Sequence, residues 1–141
     1  TISGQWEITS AIKAQRPSGC GGACKKTATL TPVYAFPIPL TNPGATDVVV
    51  QIWHSSFNGA TIDSVITTYA QQPVADADYK SCMTEPEDSC SKLADICNVD
   101  GGSGWGGVDN VKVPAGATIW VYSTGWTTAN TGKFDLNVKT K

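Results

Sequence analysis

The chemistry open to this chain is bounded by its single histidine, His54. Acyl transfer by a Ser/His/Asp or Cys/His set needs a histidine base held by a third group. His54 stands at the end of a strand-like run beside Trp53, with no nucleophile motif around it. It therefore reads as a surface or strand-end histidine rather than a catalytic base. Glycoside hydrolysis would need two carboxylates on facing elements. The acids Asp76, Asp78, Glu85, Glu87, Asp88 and Asp95 instead cluster in one stretch. No catalytic residue is assigned, and the expectation is a protein that is not an enzyme.

Binding chemistry is better represented. Five cysteines, Cys20, Cys24, Cys82, Cys90 and Cys97, are spaced as C-x3-C and C-x7-C-x6-C. A zinc site would need a second matching knuckle, so disulfides are the better reading of these spacings. Gly21 and Gly22 make a tight Cys20–Cys24 loop feasible. An odd number of cysteines leaves one thiol free, capped or bonded to another molecule. With charged residues at only 16% and abundant Thr, Gly and Ser, the set points to an oxidising compartment, hence a secreted, extracellular chain. The missing initiator Met fits a chain that is already processed.

Calcium takes six to eight oxygen ligands. Asp63, Asp95, Asn98, Asp100 and Asp109 could supply some of them if the start of a strand lies beside the glycine-rich stretch 98–107. There is no EF-hand spacing, and solvated loop acids are the alternative. Tryptophans stand at 6, 53, 105, 120 and 126. Trp53 and Trp120 fall inside strand patterns and read as core. Trp105 and Trp126, flanked by Gly and Thr, are the surface candidates for stacking on a sugar ring or a protein partner, the alternative being that they cap the ends of the fold.

These residues must be positioned by strands. Short alternating runs broken by Gly, Pro and Asn cover residues 5–14, 27–33, 34–40, 47–54, 61–71, 108–113, 118–123 and 133–140. Trp6, Ile8 and Ile12 share a face of the first, interrupted by Ser10. In the run 34–40, Pro37 and Pro39 remove donors along one edge, which predicts an edge strand. Residues 74–96 read as an acidic, disulfide-tied excursion with a short helix over 87–96. At 141 residues, the chain fits a single domain. The fold class is all-β: a disulfide-containing, jelly-roll-like β-sandwich of about seven or eight strands. A net charge of −2 supplies no basic field for nucleic acid or anionic membrane, and no apolar run approaches the roughly 20 residues of a membrane span.

Three stretches, residues 31–38, 62–69 and 111–139, with their Thr-Pro opening, Asp-led strand and Pro-Ala-Gly turn, together resemble the bacterial pre-peptidase C-terminal domain family, a jelly-roll-like sandwich often attached to secreted proteases. Residues 31–38 (TPVYAFPI) are similar to its opening strand, and 62–69 (IDSVITTY) to its Asp-led strand. Residues 111–139 (VKVPAGATIWVYSTGWTTANTGKFDLNVK) are similar to its paired final strands. Cys82 and Cys97, with the Asn98-Val99-Asp100-Gly101-Gly102 run, resemble a cysteine pair and acidic loop of some members. The resemblance implies an accessory module and a Cys82–Cys97 bridge, with Cys82–Cys90 as the rival. Residues 31–141 carry the family-like sandwich, and 1–30 form an N-terminal extension.

The function expected is that of an extracellular structural or adhesive module. It would associate with copies of itself or dock to a surface through the strand-patterned residues 1–14, beside the run 133–140. The alternative is a glycan- or matrix-binding accessory module using Trp105 and Trp126. Neither nucleic acid nor membrane insertion enters either reading.

Overall fold

The computed structural model describes residues 2–18, 24, 26–56, 62–87 and 106–141. In chain order the described elements are β1 (Ile2–Ile8), β2 (Lys13–Pro17), β3 (Leu30–Thr41), β4 (Val48–Ser56), β5 (Ser64–Tyr69), α1 (Asp76–Tyr79), β6 (Thr84–Glu87), β7 (Gly107–Val113), β8 (Thr118–Gly125) and β9 (Gly132–Thr140). They build two antiparallel sheets, a four-stranded one in the order β1-β9-β4-β7 and a five-stranded one in the order β2-β3-β8-β5-β6.

The pairings are nested: β1 with β9, β3 with β8, β4 with β7, and β5 with β6. With β2 left out, each early strand meets its counterpart counted back from the end, which is how a rolled set of hairpins makes a jelly roll. The all-β sandwich expected from the residue pattern is therefore the fold, with β2 added beside β3. Among the described residues no helix is long and apolar enough to cross a membrane.

Alternation decides what each strand buries. Ile52, Ile66, Val111, Val113, Ile119, Val121, Phe134 and Leu136 meet between the sheets, all buried. Fully burying side chains of this size contributes about 1.5–3 kcal/mol each. A second cluster of Ala14, Val33, Ala35, Tyr69, Tyr79 and Tyr122 lies on the opposite, outer face of the five-stranded sheet, where α1 supplies Tyr79.

Turn chemistry fixes the strand ends. Between β7 and β8 the Ala117 N–H donates to the Pro114 carbonyl at 3.1 Å. Gly116, at φ +68°, occupies the position of that turn that favours glycine.

Pro37 and Pro39 sit where the edge argument requires. β2 pairs with β3 only over Leu30–Tyr34, and the Ala35 N–H reaches the Ile12 carbonyl at 3.0 Å. Beyond that point no described strand lies on this side, and β8 pairs with the other.

The expectation of one strand over residues 5–14 is corrected. The chain leaves the four-stranded sheet after Ile8 and enters the five-stranded sheet at Lys13. Thr9 Oγ1 accepts the Ala11 N–H at 3.2 Å, a local side-chain bond that competes with ladder pairing. Ile12 is consequently 40% exposed rather than aligned with Trp6 and Ile8. The helix expected over 87–96 lies outside the described residues beyond Glu87, which ends β6.

Candidate functional site

The period of two in Ile2-Ser3-Gly4-Gln5-Trp6-Glu7-Ile8 sets Ile2, Gly4, Trp6 and Ile8 on one face of β1 and Ser3, Gln5 and Glu7 on the other. The register with β9 runs from Ile2↔Val138 to Ile8↔Gly132, so the first set meets Val138, Leu136 and Phe134. Ile8 is fully buried, whereas Ile2 is 78% exposed. Half-buried Trp6 reaches across the open side of the sandwich, its ring 6.3 Å from that of Phe36 in β3. The indole folds back over Gly4 and fills the space a Cβ there would need.

On the outward face, Ser3 Oγ donates to Asn137 Oδ1 at 2.7 Å; a hollow beside β1 is lined by Gln5, Trp6, Glu7 and Lys133. No described strand pairs with the other edge of β1, and the connection Thr9–Ile12 is exposed throughout.

His54 is not at the surface. It is 1% exposed and points between the sheets from β4. Its Nδ1 lies 2.7 Å from Ser64 Oγ of β5 and its Nε2 2.8 Å from Ser123 Oγ of β8. Ser64 Oγ also accepts the Gly106 N–H at 3.0 Å, and the ring packs edge-on against Phe134 at 4.6 Å. Burial holds the imidazole neutral, with its pKa lowered to about 3. Histidine beside serine is the composition of an acyl-transfer pair, but both serines are fully buried. The arrangement is a polar brace joining the two sheets.

Trp126 follows β8 and is half-buried. Its N–H donates to the Asp63 carbonyl at 2.9 Å. Arg16 of β2, only 3% exposed, donates through Nε and Nη2 to the Trp126 carbonyl at 3.0 and 2.8 Å. The guanidinium carbon stands 3.9 Å from the ring centroid, a desolvated cation–π contact. One side of the Trp126 ring is therefore taken by Arg16. Trp105 lies outside the described residues.

The disulfide pairing is corrected. Cys24 is bonded to Cys82, with Cα atoms 5.2 Å apart and a sequence separation of 58. Cys20–Cys24, Cys82–Cys97 and Cys82–Cys90 are accordingly not the bridges formed here. The cause is topological: α1 and β6 both pack near β2, which carries the α1–β6 link across the outer face of the five-stranded sheet to the β2–β3 connection. Cys20, Cys90 and Cys97 lie outside the described residues.

Of the proposed calcium ligands, Asp95, Asn98 and Asp100 also lie outside them. Asp109 is on the outer face of β7, where Lys141 Nζ approaches within 3.1 Å. Burial favours its neutral form, but Lys141 and the Asn110 N–H outweigh this and hold the carboxyl below the usual range. Asp63 precedes Ser64, whose Oγ accepts the N–H of Gly106, the residue just before β7, three positions or about 10 Å along the chain from Asp109. Among the described residues no group of three or more His, Cys, Asp or Glu gathers as a metal cluster.

Compared with known proteins, the chain matches no family model, no curated protein and no solved structure.

Sequence reasoning missed the serines that bracket His54, the Arg16–Trp126 stack and the Tyr69/Tyr79/Tyr122 cluster. A signal existed only for the last. Val65, Thr67 and Tyr69 alternate with Ser64, Ile66 and Thr68, so β5 has bulky β-formers on both faces, the mark of a strand covered on both sides.

Proposed function

We propose that this chain is a non-catalytic structural or adhesive module that works outside the cell and self-associates, or docks to a surface, through β1. The observation that carries this reading is β1 itself. It is an edge strand that fills a groove beside β9 with Trp6 and Ile8, leaves Ile2 78% exposed, and joins β2 through four exposed residues. A strand of this kind completes whichever sheet edge it reaches. The Cys24–Cys82 bridge supports an oxidising setting. The resemblance to pre-peptidase C-terminal modules supports an accessory rather than a catalytic role.

Size-exclusion chromatography and negative-stain microscopy of the full chain at several concentrations test it. Species larger than the monomer are expected to grow with concentration. A monomer at every concentration and ionic condition overturns self-association. The reading then becomes a glycan- or matrix-binding module, which Trp126 favours because Arg16 holds its half-exposed ring in place. Binding on a glycan array would identify that case.

A further inference from the structure

We infer that the acceptor for β1 is the β9 edge of a second copy of this chain, entered in the register the chain uses for itself, with Trp6 as anchor and Thr9–Ile12 as hinge. The inference rests on the self-association reading above and specifies its interface. β1 contacts β9 along its length and touches β3 and β8 through its inward face. Another copy offers the same groove: Phe36 and Phe134 for Trp6, Asn137 for Ser3, and the ladder from Gly132 to Val138. The exchanged and closed forms therefore share their contacts, and concentration and the hinge set the balance between them.

The register is specified by side chains rather than by the backbone ladder. A slip of one residue would turn Ser3, Gln5 and Glu7 into the groove. A slip of two would set Trp6 opposite Leu136 or Gly132 instead of Phe134. The hinge has two local ties, the Ala11 N–H donating to Thr9 Oγ1 and, at its β2 end, the Ala35 N–H donating to the Ile12 carbonyl. Four extended residues span about 13 Å, little more than the roughly 10 Å between packed sheets. Two exchanging sandwiches must therefore abut.

Glu7 and Lys133 stand opposite each other, both exposed, at a separation within the range a disulfide spans. Chains carrying Glu7→Cys and chains carrying Lys133→Cys are co-expressed, so that exchange can occur during folding. The linked species are resolved on non-reducing gels and by peptide mapping. The double variant Glu7→Cys/Lys133→Cys on one chain, which links within a closed monomer, verifies that the pair is in reach. A disulfide joining the introduced cysteines of two different chains is expected. Larger species without that link overturn β1 exchange while leaving self-association standing on another edge. Absence of larger species as well as of the link overturns both.

Discussion

The outer faces of the two sheets are opposites. On the four-stranded sheet, Ser3, Gln5 and Glu7 of β1, Lys133, Asp135 and Lys139 of β9, and Gln51 and Ser55 of β4 make a largely polar face, in which Trp53 and Asn137 are buried and Val49 is an exposed apolar residue. On the five-stranded sheet, Val33, Ala35, Val65, Thr67, Tyr69, Tyr122 and Thr124 are all buried. Tyr69 meets Tyr122 and Tyr79 edge-to-face at 5.3 and 6.1 Å, and its hydroxyl donates to the Tyr79 carbonyl at 3.2 Å. Burial, reinforced by the neighbouring tyrosines, raises the pKa of that hydroxyl.

What differs is the cover. One sheet meets water over much of its outer face, around the buried pair Trp53 and Asn137, while α1 and the Cys24–Cys82 link lie across the other. A strand-only sandwich needs one apolar layer, and this one has built a second. A helix of four residues cannot hold that second layer by its own hydrogen bonds, so the layer depends on the covalent closure.

Breaking the closure should therefore give the largest effect. Cys24→Ser or Cys82→Ser removes a cross-link spanning 58 positions, for which the loop-entropy account gives about 4 kcal/mol. Thermal unfolding of the variant should show a large drop in Tm, with increased solvent access at Tyr69, Tyr79 and Tyr122 but little change at Phe134. Equal loosening of both layers would mean that the two faces are not independently held.

The layer shared by both sheets can be isolated through His54. Its pKa is about 3 in the fold against 6.5 for an unperturbed histidine. Between those values the unfolded chain binds a proton that the folded chain does not, so stability is full above pH 6.5 and falls as pH drops towards 3. The slope is about 1.4 kcal/mol per pH unit, which amounts to about 2 kcal/mol by pH 5. Asp47, held low by Lys112, and Asp78, held low by the Ala75 and Val74 amides, act only below the ordinary carboxylate range. Urea unfolding at pH 7 and pH 5 measures the slope, and His54→Gln should flatten it.

How much of this was legible follows the same division. β4, β5, β8 and β9 could be read from β-branched alternation, and the free edge of β3 from Pro37 and Pro39, because those signals are local. The turn at Thr9–Ile12 was missed because one side-chain bond from Thr9 outweighs a weak alternation through Ser10. α1 is too short to show a helical period, and β6, Thr-Glu-Pro-Glu, lacks the β-branched run that marks a strand. The Cys24–Cys82 pairing and the partners of His54, 10 and 69 positions away, come from how the roll closes. Residue spacing along the chain carries no trace of that closure.

The smallest effect sharpens the contrast most, because it asks whether the covered face is dry. Thr67 Oγ1 is buried with no hydrogen-bond partner among the described residues, and Thr67 is 1% exposed. A buried hydroxyl left unpaired costs about 1–3 kcal/mol, and valine keeps its shape without the polar atom. Thr67→Val should therefore raise stability by about 1 kcal/mol in urea unfolding, with the slope unchanged because the area exposed on unfolding is the same. The β-branched side chain would still pack beneath Tyr122, its partner across the β5–β8 ladder. If the variant is instead less stable, a water molecule satisfies the hydroxyl, and the cover over the five-stranded sheet is wet at its centre. The two outer faces would then differ in how tightly they hold water rather than in whether they admit it.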